Sequence, residues 1–167
     1  MKKLILIFGG AGCGKHTLIN SIKEENEDVM HLLDIANYSY GVIEELDLDK
    51  KHNIISQFMN MEMDILIALG FYQDIEGNDT FLRRINRDFP NLEKEIIFLN
   101  VLDSELLFER FMKTPSIQAD YDNNCKKFSK EMVQSITNQM KQRLLAYESE
   151  GYKVIEIDTT NGYRVIN

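Results

Sequence analysis

A chain of 167 residues with 44% hydrophobic and 28% charged side chains is long enough to bury a real core and has the balance of an ordinary soluble globular domain. Its formal net charge of −8 disfavours a general nucleic-acid binder, unless Lys and Arg cluster locally, because phosphate backbones attract cationic surfaces. Two cysteines, Cys13 and Cys125, do not make a disulfide scaffold, and a reducing cytoplasm is the expected setting.

In chain order, Leu4–Phe8 is a continuous apolar run, as expected for a central parallel strand buried on both faces, and too short to span a membrane. Lys15–Lys23 reads as a helix with Leu18, Ile19 and Ile22 on one face. Val29–Leu33 reads as a second strand that closes on Asp34, and Asp49–Met63 as a helix through Ile54, Ile55, Phe58 and Met59. Ile65–Phe71 is a third strand, Gly77–Arg87 a polar helix stopped by Pro90, and Glu95–Val101 a fourth strand. Asp103 or Ser104 caps a helix to about Lys113, and residues 114–128 read as a polar loop or lid. Ser129–Glu148 is a helix ended by Gly151, and Lys153–Ile157 is the last parallel strand. Asn161-Gly162 signals a hairpin into a short antiparallel edge strand from Tyr163. This alternation predicts one α/β domain over residues 1–167, a parallel sheet of about five strands with helices on both faces. Ligands of such sheets bind beyond the carboxyl ends of the strands.

At the first of those ends, Gly9-Gly10-Ala11-Gly12-Cys13-Gly14-Lys15 matches the G-x-x-x-x-G-K core of a phosphate-binding loop, the Walker A pattern. Glycines let successive N–H groups turn inward, the following helix adds its positive end, and Lys15 supplies a movable charge for the β- and γ-phosphates. Gly10, Gly12, Cys13, Gly14, Lys15, His16 and Thr17 are thus the candidate nucleotide contacts. His16 stands where a magnesium-binding hydroxyl is usual, and a neutral imidazole is a poor ligand for that hard cation.

Strand, glycine loop and helix together resemble the adenylate-kinase-like and related small P-loop kinases, in which G-K-G-T is common and the hydroxyl comes one residue later, as Thr17 does here. The resemblance implies a three-layer P-loop NTPase fold and ATP as nucleotide. It also implies Thr17 near the α-phosphate, and Mg2+ held mostly through water and nucleotide oxygens. It covers nearly the whole chain in element order and touches sequence motifs at three further places. Asp34, after the predicted second strand, is similar to the acidic residue that takes the acceptor's proton in polynucleotide kinases and several small-molecule kinases; a turn cap is the plainer alternative. In "DILIALGFYQD", Gly70-Phe71 resembles part of the D-G-F-P-R segment of nucleoside monophosphate kinases, with Leu69 in place of its Asp and Gln73 in place of its Arg. Tyr72, Gln73 and Asp74 are then acceptor-pocket candidates, with Arg83 and Arg84 in the next helix either facing substrate or lying on a solvated surface. Arg110, before the lid-like segment, is the leading transition-state cation, ahead of Lys113, Lys126, Lys127 and Arg143. By the same resemblance, Asp158-Thr159-Thr160-Asn161 forms the loop that packs on the adenine.

The expected activity is transfer of the γ-phosphoryl group from ATP to a small, nucleoside- or nucleotide-like acceptor, with Lys15, Asp34 and Arg110 catalytic. A 5′-hydroxyl polynucleotide kinase and a nucleotide-binding switch or ATPase without acceptor are the alternatives. His31, His52 and the cysteines have no zinc-ligand spacing, Met59, Met61 and Met63 read as core filling, and Tyr38 and Tyr40 as loop residues free to stack on a base. Cys13, at a helix start, is expected to carry a lowered thiol pKa.

Overall fold

The computed structural model describes residues 3–35, 40–43, 47–70, 75–124 and 127–166. Strand β1 (Lys3–Gly9) is buried at every position, as its unbroken run of Leu and Ile demands. It lies in a six-stranded sheet of order β2-β3-β1-β4-β5-β6. The neighbours are β2 (Tyr40–Ile43), β3 (Asp64–Gly70), β4 (Glu93–Asn100), β5 (Lys153–Asp158) and β6 (Arg164–Val165). The first five run parallel and β6 returns antiparallel to β5, pairing Ile157 with Val165. The hairpin expected at Asn161-Gly162 is therefore present, with Gly162 at φ 81°.

Helices cover both faces. α1 (Lys15–Lys23), α2 (Glu27–Leu32) and α5 (Ser104–Met112) bury Leu18, Ile22, Val29, Met30, Leu107 and Phe111 against Ile5, Ile7 and Leu99. On the other face, α3 (Leu48–Phe58), α4 (Ile75–Asp88) and α7 (Lys130–Leu145) bury Ile55, Phe81, Ile85, Met140 and Leu144 against Leu4, Leu6, Phe8, Leu69 and Phe98. Each such aliphatic side chain contributes about 1.5–3 kcal/mol by leaving water. With the glycine loop joining β1 to α1 beneath this strand order, the architecture is the three-layer P-loop NTPase fold.

Three expectations need correction. Residues 29–33 are not a strand: they lie in and just after α2, whose start is capped by the Asn26 side chain accepting from the Val29 amide at 3.1 Å. The edge strand is instead β2, and Tyr40, expected in a loop, lies in it with its hydroxyl donating to the Ile22 carbonyl at 3.0 Å. The segment read as a loop from 114 contains a ten-residue helix, α6 (Pro115–Asn124). Proline at the first helical position costs nothing, since that N–H has no intrahelical acceptor. The helix expected at Ser129–Glu148 begins with Ser129 as its cap and tightens into a 3-10 turn over Ala146–Glu150 before Gly151.

Candidate nucleotide site

The site is built where β1 ends. Gly9 pairs with Gly70 of β3 and Leu99 of β4, so the chain leaves the sheet at its centre. Two left-handed residues then shape the loop, Gly12 at φ 78° and Gly14 at φ 90°. They are glycine for different reasons. A Cβ on Gly12 would stand 2.6 Å from the Arg110 carbonyl carbon, so the loop rests directly on the backbone of α5. A Cβ on Gly14 would meet nothing within 4 Å: the space beside it is open.

Helix α1 starts at this open space and differs in its first turn from α2, α3, α5 and α7. Gly14 is its N-cap, with no side-chain capping bond and no acidic residue in the first turn. By contrast, α2, α3, α5 and α7 are capped by Asn26, Asp47, Asp103 and Ser129, and each has an acid in its first turn. The leading amides of a helix have no intrahelical acceptor, and the aligned peptide dipoles leave positive charge there. In four helices this chain neutralises that end with its own side chains; at α1 it leaves the end open to an external anion.

Lys15 adds a full positive charge. Its ammonium donates to the Gly9 carbonyl within the loop. Burial pushes its pKa below the ordinary lysine value, with Cys13 acting weakly the other way. A cation stripped of water in this way is stabilised by any anion that reaches it. His16 and Thr17 follow on the exposed side of the first turn, available to a ligand and not needed by the core. Gly10 and Cys13 also hold the loop together. The Cys13 amide donates to the Gly10 carbonyl at 3.2 Å, and the Cys13 side chain is 1% exposed among Ile5, Ile7 and Leu18. Burial raises its thiol pKa, against the pull of Lys15, so the lowered pKa expected from its helix-start position is corrected.

Behind the loop stands the turn after β5. The Thr159 hydroxyl donates to the Cys13 carbonyl at 2.9 Å and the Thr159 amide to the Asn100 carbonyl at 2.8 Å. Arg110 donates to the Thr159 carbonyl at 2.8 Å and to the Thr160 carbonyl at 3.2 Å. Asp158 closes the turn by accepting from the Thr160 hydroxyl at 2.6 Å, the Thr160 amide at 3.0 Å and the Leu102 amide at 3.3 Å. Its second oxygen accepts from Arg164 at 3.0 Å. Burial works to raise this carboxyl's pKa, but the hydrogen bonds from Thr160, Leu102 and Arg164 prevail and hold it down to about 2. Arg110 is thus beside the loop, with its guanidinium occupied by backbone carbonyls.

Other predicted residues do not gather here. Asp34 lies at φ 52° in the turn after α2, and its carbonyl accepts from the Lys3 ammonium at 3.3 Å. Lys3 opens β1 at the amino end of the sheet, about 20 Å along the strand from Gly9. That end is sealed by a buried Glu95 between Lys3 at 3.8 Å and Lys153 at 3.2 Å. Asp34 thus follows a helix where a strand was expected, and its backbone lies at the amino end of the sheet, away from the glycine loop. Arg84 is paired with Asp49 at 2.5 Å and with Asp88 at 3.7 Å, which is the solvated-surface alternative. Lys113 pairs with Glu109 at 2.5 Å, and Arg143 with Asp79 at 2.9 Å. Leu69, at the place of the kinases' aspartate, is fully buried core. Tyr38, Tyr72, Gln73, Asp74, Cys125 and Lys126 lie outside the described residues.

By resemblance, Thr159 belongs only to an adenine-side loop, and no motif singles out Asn100. A hydroxyl one residue past a strand that ends beside the glycine loop was the available signal.

Among the described residues no three His, Cys, Asp or Glu side chains gather as a metal site, and no helix is long and apolar enough to cross a membrane. No protein-family model and no curated protein matches the chain. Among solved structures, it is similar to a de novo designed protein with the P-loop NTPase fold, at 21% identity over 89% of this chain and 96% of that one, with a TM-score of 0.36. It is also similar to the protein APE1195, at 12% identity over 98% of this chain and 80% of that one, with a TM-score of 0.42. With TM-scores this low, the fold assignment rests on the chain's own strand order and glycine loop.

Proposed function

We propose that the chain binds a nucleoside triphosphate, ATP in the first place, in the Gly9–Thr17 loop and transfers its γ-phosphoryl group to a small nucleoside- or nucleotide-like acceptor. The observation that carries the reading is the uncapped, acid-free start of α1 facing open space at Gly14, with the half-buried Lys15 ammonium beside it. Amides of Gly14, Lys15, His16 and Thr17 would line the phosphates, and Lys15 would exchange the Gly9 carbonyl for a β- or γ-oxygen. Mg2+ would neutralise charge on the β- and γ-phosphates. Of the loop's side chains only the exposed Thr17 hydroxyl suits it, so coordination falls largely to water and nucleotide oxygens. The acceptor would sit beyond β3, where Tyr72, Gln73 and Asp74 follow. Phosphoryl transfer needs mainly positioning and charge neutralisation, which the loop amides, Lys15 and Mg2+ would supply.

A second reading, a nucleotide-binding ATPase or switch without acceptor, is favoured by the buried Leu69 and the remoteness of Asp34. One experiment separates them: consumption of Mg-ATP, measured with and without nucleosides, nucleoside monophosphates and 5′-hydroxyl oligonucleotides. Transfer predicts consumption that rises with one acceptor and matches phosphorylated product. Hydrolysis indifferent to every acceptor selects the switch, and product on the oligonucleotide alone selects a polynucleotide kinase. The nucleotide site itself is tested by Lys15→Met, which should cut ATP affinity by about a hundredfold or more. Relief of the half-buried charge should meanwhile leave thermal stability equal to or above that of the unsubstituted chain.

A further inference from the structure

The Cys13–Gly14 peptide is the hinge on which the open end of α1 depends. It is trans, so the Cys13 carbonyl and the Gly14 N–H point in opposite directions. Whatever holds the carbonyl therefore aims the amide. A peptide followed by glycine turns over easily, because Gly14 accepts backbone angles of either sign. The flanking peptides are held, by the Cys13 amide on Gly10 and the Leu18 amide on Gly14, but at this peptide Gly14 has no Cβ, open space beside it and no side-chain cap.

The restraint comes from far along the chain. The Thr159 hydroxyl is 2.9 Å from the Cys13 carbonyl oxygen and 3.2 Å from that of Asn100. Its single proton is directed chiefly to the nearer one. The residue carrying that hydroxyl cannot drift. Its amide is fixed to Asn100 at 2.8 Å, its carbonyl is gripped by Arg110 at 2.8 Å, and it is only 7% exposed. Without the hydroxyl, the Cys13 carbonyl would lose a hydrogen bond in a nearly buried place, and turning the peptide over to find another partner would carry the Gly14 N–H out of the open space.

We infer that Thr159 is a positioning residue of the phosphate cradle: its hydroxyl pins the Cys13 carbonyl and so aims the Gly14 N–H at the bound polyphosphate. The inference rests on the nucleotide-binding reading above and adds a residue to it from the opposite end of the chain. It also separates two roles within residues 158–160: Asp158 and Thr160 hold the turn together, and Thr159 reaches out of it into the loop.

The test uses the full chain, inorganic tripolyphosphate and Mg-ATP as probes, and the pair Thr159→Val and Thr159→Ser. Valine keeps the shape and removes the hydroxyl; serine keeps the hydroxyl. Calorimetry should show tripolyphosphate and ATP bound about tenfold more weakly by the valine variant and within about twofold of normal by the serine variant. In the unsubstituted chain, labelled with 15N, the Gly14 amide should show one of the largest resonance shifts on adding tripolyphosphate. This second readout can overturn the inference even if the valine variant does not fold. Normal tripolyphosphate affinity in Thr159→Val, failure of serine to rescue, or a Gly14 resonance that stays in place while tripolyphosphate binds would each overturn the role of Thr159 and leave the nucleotide site standing. Absence of any binding of either probe to the unsubstituted chain would remove the nucleotide site and this inference together.

Discussion

Gly12 and Gly14 look interchangeable in the motif and do different work in the molecule. Both hold left-handed angles that cost an alanine about 1–2 kcal/mol. Only Gly12 is also pressed against a backbone, that of Arg110. Gly14→Ala should therefore destabilise the fold by about 1 kcal/mol and put its methyl where phosphate belongs, abolishing ATP binding in a folded protein. Gly12→Ala should cost about 3 kcal/mol or more, since overpacking adds to strain. Urea unfolding and calorimetry on the two variants would show the split; equal stability losses would refute it. The motif made the residue types legible. The reason for Gly12 was not, because it lies in α5, almost a hundred positions away in the chain.

Among elements, the turn joining β5 to β6 is held by the ionised Asp158. Its folded pKa, about 2, lies below the free value of 3.8. The stability it confers is complete above that free value and disappears as pH falls through the folded one. Urea unfolding followed between pH 4 and pH 2 should lose on the order of 2 kcal/mol from this group, a loss missing in Asp158→Asn. An acid limb identical in the two proteins would show that the turn does not depend on the charge. The same scale shows where sequence patterns mislead. "VMHLL" is five apolar or near-apolar residues, too short for periodicity to separate a buried strand from a buried helix. The better signal was Asn26 with Glu27 and Asp28 behind it, a cap followed by acids, which the structure uses to start α2. Residues 114–128 misled in the opposite sense: polar composition and Pro115 suggested a loop, although proline in a first turn opens helices.

Across the whole molecule, the order of strands decides which end of the sheet does chemistry. Four of the five parallel strands, a glycine loop after the first and helices on both faces were legible from apolar runs and their punctuation, while the edge strand β2 was not. The position of Asp34 was not. It depended on a single element, and once 29–33 proved helical the residue moved to the end sealed by Lys3, Glu95 and Lys153. Asp34→Asn should accordingly leave phosphoryl transfer or hydrolysis within about twofold of normal, since Asn also tolerates a left-handed turn and no acid–base role is lost. A fall of a hundredfold in turnover would restore the base and require a rearranged amino end.

The bond between Thr159 and Cys13 spans 146 positions of sequence. A growing polypeptide on the ribosome thus exposes the complete glycine motif long before the residue that braces it has been synthesised. Affinity for polyphosphate should appear late and abruptly during translation, once β5 and the turn beyond it emerge, so ligand capture marks the completion of tertiary structure and not the birth of the motif.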